Sequence, residues 1–192
     1  MSDLTVKLSD RPFPEAALPE RLAPPEALDA EQRAAADELI AGPRGGVYGP
    51  FRPLLHRPAL LRSLGKVGEA LRFDGTISPS LREWTICVVA RNTSNVFEWK
   101  MHVPIAISEG VPVEALEALN AASESPPTLS AELVLARLLT EQMIKQHRIT
   151  DELYDRAIAE WGETRLVELI VLIGYFGAIC WLMNVSRTPG PS

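Results

Sequence analysis

Glu98 and His102 stand four residues apart in the segment Val96-Phe97-Glu98-Trp99-Lys100-Met101-His102. On a helix that spacing stacks both side chains on one face, and Asn95 falls on the same face one turn earlier. A carboxylate beside an imidazole favours the protonated ring, so the pair is suited to give a proton near neutral pH or to orient a base. The same spacing also describes an ordinary solvated helical ion pair, and burial separates the two readings. Glu83 sits near the start of a preceding segment, where the helix dipole alone accounts for a negative charge. Glu98, His102 and Glu83 together offer oxygen and nitrogen ligands, but only three histidines occur and no two stand at metal spacing, so no metal centre is expected. His56 reads as a loop or helix-start residue and His147 as part of a polar helix end. Trp99, Tyr175 and Trp181 are candidates to line a pocket, although aromatics on apolar helices more often serve a core or an interface.

These residues need helices to hold them. Ser78-Pro79 is a helix start, with Ser as N-cap and Pro at the first helical position, and the helix runs to about Asn92. Thr93-Ser94-Asn95 breaks the chain and caps a second helix that carries Phe97, His102, Ile105 and Ala106. Pro104 should kink that helix beside His102, because its ring crowds the carbonyl of Lys100 and it has no N–H to donate. Gly110 ends it, and Val111-Pro112 opens another through Asn120. Upstream, 25–41 has helical apolar spacing closed by Gly42-Pro43, and 54–73 carries a stripe of Leu60, Leu61, Leu64, Val67 and Leu71. Residues 123–129 are a connector between two helical halves. Beyond it, Leu133 to Ile144 favours a helix to about His147, and Thr150 caps one through Trp161-Gly162. The stretch 164–185 is apolar nearly all round, as suits the central helix of a bundle or one covered by a neighbouring subunit.

The 192 residues, 46% of them hydrophobic, suffice for one domain with a sizeable core. We divide the chain into a Pro-rich arm (1–25), which often wraps a neighbour in such proteins, a single helical domain (26–187) and a short tail (188–192). A net charge of -6 with no basic cluster makes nucleic acid an unexpected partner. Cys87 and Cys180 are far apart among apolar residues, so neither a disulfide framework nor a Cys-rich metal site is expected, which fits a reducing compartment. No secretory signal is read at the N-terminus. The most apolar run, 169–183, is shorter than the roughly 20 residues a bilayer needs, so no membrane is expected and the location is cytoplasmic.

The order Pro79, Leu81, Arg82, Glu83, then Val89-Ala90-Arg91, then Glu98-Trp99, His102, Ala106 and Gly110 resembles the carboxymuconolactone decarboxylase superfamily, also called AhpD-like. Gly49-Pro50-Phe51, Leu55-His56-Arg57-Pro58, Leu166-Val167-Glu168-Leu169 and Gly174-Tyr175-Phe176 extend the resemblance over about residues 48–184. It implies an all-α, AhpD-like helical bundle of about six to eight helices, assembled as a homo-oligomer (dimer, trimer or hexamer) with the site commonly near a subunit interface. The peroxidase branch carries a Glu, a Cys-x-x-Cys and a His four residues past the second Cys. Here Glu83 and His102 match that relay, while Asn95 and Glu98 occupy the cysteine positions, and neither can form a thiolate or a disulfide. Thiol peroxidase activity is therefore not expected. The decarboxylase branch is cofactor-free and acts on a lactone carboxylate, and this sequence is similar to it in keeping acid and imidazole. The resemblance then implies a cofactor-independent enzyme. His102, held by Glu98 or Glu83, moves a proton at a carbon of a small cyclic, lactone or carboxylated substrate, and Arg91 or Arg52 holds the carboxylate. The alternatives are a residual alkylhydroperoxidase, which would depend on Cys87 or Cys180, and a catalytically silent oligomeric binding protein.

Overall fold

A computed structural model describes residues 18–190; the first 17 residues of the N-terminal arm and the last two of the tail lie outside the described residues. Eight helices and no strand occur among them: α1 (Ala30–Ala41), α2 (Phe51–Leu54), α3 (Pro58–Phe73), α4 (Pro79–Asn92), α5 (Val96–Ser108), α6 (Val113–Asn120), α7 (Ala131–Gln146) and α8 (Asp151–Ser186). The starts follow from local chemistry. Asp29, Ser78, Asn95, Ser130 and Thr150 each accept a backbone N–H from the first turn of the helix that follows, and Asp29 forms a reciprocal capping box with Gln32. The first helix therefore begins at Ala30 rather than Pro25. The segment expected as one helix over 54–73 is two, because Arg57 leaves helical geometry and Pro58 restarts the helix at its first position.

α4 is the centre of the molecule. Ten of its side chains are buried, and it packs on α5, α6, α7 and α8 within one core that includes Trp84, Trp99, Leu116, Leu139, Leu169 and Leu172. Helices on both sides of the 123–129 connector share that core, so the connector does not divide the fold into halves. The second, smaller core belongs to α1, α2 and α3, through Ala35, Leu39, Phe51, Leu54, Leu55 and Leu61. On α3 the buried positions are Leu61, Gly65, Gly68 and Leu71, whereas Leu60 and Val67 are exposed. The expected stripe is thus rotated: two glycines lie on the buried face, and at Gly68 the missing side chain leaves room for Tyr175 and Arg44.

α8 is continuous in outline but not in backbone. Gly162 adopts φ 68° and ψ 176°, so it separates 151–161 from 163–186, which accounts for the two elements expected there. α5 runs on through Pro104 to Ser108. The described part of the arm is tied to its own chain: Arg21 donates to the carbonyl of Ser186, Glu20 pairs with Arg52 at 2.7 Å, and a ring nitrogen of His56 lies 2.9 Å from the carbonyl oxygen of Ala23.

Candidate functional site

His102 projects from the second turn of α5 and is met from both sides. Its Nδ1 lies 2.6 Å from Glu83 Oε2 on α4, and its Nε2 lies 3.1 Å from Glu98 Oε2 one turn back on α5. All three side chains are at least 94% buried. Arg82 closes the far side of the cluster, its Nε donating to Glu83 Oε1 at 3.1 Å. Phe176 of α8 packs edge-on against the imidazole, with ring centroids 5.4 Å apart. Burial settles the reading of Glu98 and His102: this is no solvated surface pair.

The electrostatics follow from the arrangement. Burial pulls the His102 pKa down, but the hydrogen bonds and charges of Glu83 and Glu98 outweigh it, and the net direction is upward from the ordinary histidine value. Burial pushes Glu83 toward its neutral form, yet His102 and Arg82 together hold its carboxyl below the usual range. Both directions favour one state, an imidazolium paired with the Glu83 carboxylate. Glu83 fixes Nδ1, which leaves Nε2, beside Glu98, as the nitrogen on the open side.

That open side is a cavity of about 320 Å³ between the two cores. Glu98, His102, Phe97 and Ile105 of α5 form one wall, and Tyr175, Phe176 and Ile179 of α8 form another. Phe51, the loop residues Pro43 and Arg44, and Arg72 and Phe73 at the end of α3 complete it. The volume is that of a small-molecule site, mostly apolar with a few converging polar groups.

The structure sorts the residues singled out in the sequence. Glu83, Glu98 and His102 converge, and Tyr175 lines the cavity. Trp99 does not; it is 2% exposed and belongs to the main core. Asn95 does not either, because its side chain is occupied in structure: Oδ1 accepts from the N–H of Glu98, and Nδ2 donates to the carbonyl of Cys180 and to Asn184. Arg91 donates Nε and Nη2 to the carbonyl of Asn120, away from the cavity. Arg52 is engaged by Glu20 and also lies outside the lining. The cations that do line the cavity are Arg44 and Arg72, which neither spacing nor motif had marked. Arg44 stands in an irregular Pro-Gly loop, and Arg72 at a helix end reads as a dipole partner. Cys87 and Cys180 are fully buried, and burial raises both thiols well above the ordinary value, which disfavours a thiolate at either. Among the described residues no group of three His, Cys, Asp or Glu side chains is placed to hold a metal ion.

No protein-family model and no curated protein matches the chain. Among solved structures it is similar to the alkylhydroperoxidase AhpD core of an uncharacterized peroxidase-related protein from Ralstonia eutropha JMP134, with a TM-score of 0.65 and 18% identity over 95% of this chain and 92% of that one. With that similarity extending over nearly its whole length, this all-helical chain has the AhpD-like fold.

Proposed function

We propose that the protein is a cofactor-independent enzyme that moves a proton at a carbon of a small cyclic substrate, in the manner of a carboxymuconolactone decarboxylase. The observation that carries this reading is the buried imidazole held between two carboxylates on the wall of an apolar cavity. Such a group is a proton donor whose acid form persists toward neutral pH, in a site from which most water is displaced. Glu83, paired with Arg82, keeps the ring oriented and stabilises its charge. His102 Nε2 delivers the proton, and Glu98, the one carboxylate of the cluster that reaches the cavity, receives one or returns one to the ring. A decarboxylation needs a proton at the carbon left by carbon dioxide, and an isomerisation needs one removed and one added; the same pair serves both.

The test is solvent-deuterium incorporation, followed by NMR, into a panel of unsaturated lactone acids incubated with the protein in D2O. Incorporation or loss of carbon dioxide with at least one member is expected. His102→Gln should lower that rate by about 10²- to 10⁴-fold. A His102→Gln variant that exchanges at the wild-type rate would sink the proposal.

A further inference from the structure

Resting on that reading of the cavity, we infer that Arg44 and Arg72 form an anion subsite that takes the carboxylate of a small, otherwise apolar substrate. Both guanidinium groups line the cavity that His102 and Glu98 open onto, and they come from a different part of the chain: the loop after α1 and the last turn of α3. In a chain of net charge -6, the cavity wall carries two arginines and an imidazolium against one carboxylate, so it holds an excess of positive charge that a bound anion would balance.

Neither arginine has all its donors filled by the described residues, although Arg44 also interacts with the Tyr175 hydroxyl. Arg72 makes no hydrogen bond or ion pair among the described residues; its guanidinium carbon lies 5.3 Å from the Phe73 ring centroid. Burial also holds Arg72 below its ordinary value, since the cavity wall shields its charge from bulk water. Arg44 has a side chain only 11% exposed, lies 4.6 Å over the Phe51 ring and reaches the carbonyl of Gly65 at 3.4 Å. Its nearest carboxylate, Glu69, is 3.9 Å from Nε, and that buried Nε has no hydrogen-bond partner. A structural arginine buried to this degree normally has its donors filled.

The room for this arrangement is built in at Gly68. A Cβ there would collide with both the Tyr175 hydroxyl and Arg44 Nη2, so the glycine admits both groups to one spot on the buried face of α3. The rest of the lining, Phe51, Phe73, Phe97, Phe176 and Ile179, offers no further cation and suits a ring or short hydrocarbon body. A planar carboxylate matches the forked donors of guanidinium, and the apolar walls favour an organic acid over a free inorganic anion.

Calorimetric titration separates the outcomes. Benzoate and cyclohexanecarboxylate should bind saturably to the wild-type protein, and benzamide should not. Arg72→Met and Arg44→Met should each weaken benzoate by roughly 10- to 100-fold, with Arg72→Lys between wild type and Arg72→Met. Since Arg72 makes no hydrogen bond or ion pair among the described residues, its variants test the subsite without removing either. Benzoate binding by the wild-type protein requires no proton transfer, so the subsite stands even where the proton-transfer reading fails. Equal binding of benzamide, benzoate affinity unchanged in the Arg44→Met/Arg72→Met double variant, or inorganic phosphate binding in preference to benzoate would each overturn it.

Discussion

At the scale of single residues, the Glu83–His102 pair ties stability to pH in two directions. Glu83 titrates below its ordinary value of 4.5 in the folded chain, so its contribution is complete above that value and is lost as pH falls through the depressed pKa. His102 titrates above its ordinary value of 6.5, so its contribution is complete below 6.5 and is lost as pH rises through the elevated pKa. Between about 4.5 and 6.5 both are present in full. Replacing one partner leaves the other buried without its counter-charge, and Glu83→Gln should cost about 3–5 kcal/mol in that window. Urea denaturation of wild type and Glu83→Gln across pH 3 to 9 checks this. The difference should be largest inside the window and shrink on both sides; a difference independent of pH would show that the pair is not ionised in the folded protein. The cluster of Glu83, Glu98 and His102 was readable in the sequence because one helical spacing and one resemblance pointed to it, whereas the arginines were not. Arg44, in the loop after α1, and Arg72, at the end of α3, reach one cavity through the packing of α1 on α3, and no local pattern encodes that.

The elements show where a motif can mislead. Asn95, which the sequence resemblance sets where the peroxidase branch has a cysteine, here starts α5 and fastens it to α8, through one bond to the N–H of Glu98 and two to Cys180 and Asn184. Asn184 in turn donates to the carbonyl of Thr93 and so closes the break between α4 and α5. Since α5 carries both Glu98 and His102, this junction sets their height against Glu83 on α4. Asn95→Ala removes a helix cap and leaves buried acceptors on α8 unpaired, a loss of about 2–3 kcal/mol. Asn95→Asp keeps the cap but places a carboxylate against two oxygen acceptors, so it should be no more stable than Asn95→Ala despite being the closer isostere. Denaturant midpoints of the two variants measure the order; Asn95→Asp matching wild type would mean that the bonds to α8 contribute nothing. The helix starts were legible because caps are local chemistry, as at Ser78-Pro79, Asn95 and Thr150. The buried face of α3 was not, because Gly68 is required by the Tyr175 and Arg44 side chains packed on it, and a search for apolar side chains passes over a glycine.

Among the described residues, α8 carries a line of apolar side chains that stands exposed. Along the second part of α8, Val167, Val171, Gly174, Ala178, Trp181 and Val185 recur at alternating steps of four and three, which puts them in one line down the helix. With Ile170 beside them, the five larger side chains are between 39% and 63% exposed. The segment called apolar nearly all round therefore has a buried face within the fold and a second face open to solvent. The stripe is also symmetric about its middle. In an antiparallel pair of α8 helices related by a two-fold axis, Val167 meets Val185, Val171 meets Trp181, and the small residues Gly174 and Ala178 meet at the crossing, where they allow close approach. An isologous contact requires this self-complementarity. A patch of this kind is on the order of several hundred Å² per subunit, and two copies reach roughly the 1,000 Å² that a specific interface needs. We expect the protein to dimerise through this stripe. Sedimentation velocity without detergent should give a dimer for wild type and a monomer for Val171→Glu and Trp181→Glu. α8 is also long and apolar enough to cross a bilayer, but over half of that window is already buried in the fold, so wild type should remain in solution at the concentrations used. Tyr175, Phe176 and Ile179 face the cavity from another side of the same helix, and the two glutamate variants should therefore bind benzoate as wild type does. A monomeric wild type, or glutamate variants that remain dimeric, would assign the stripe no part in self-association.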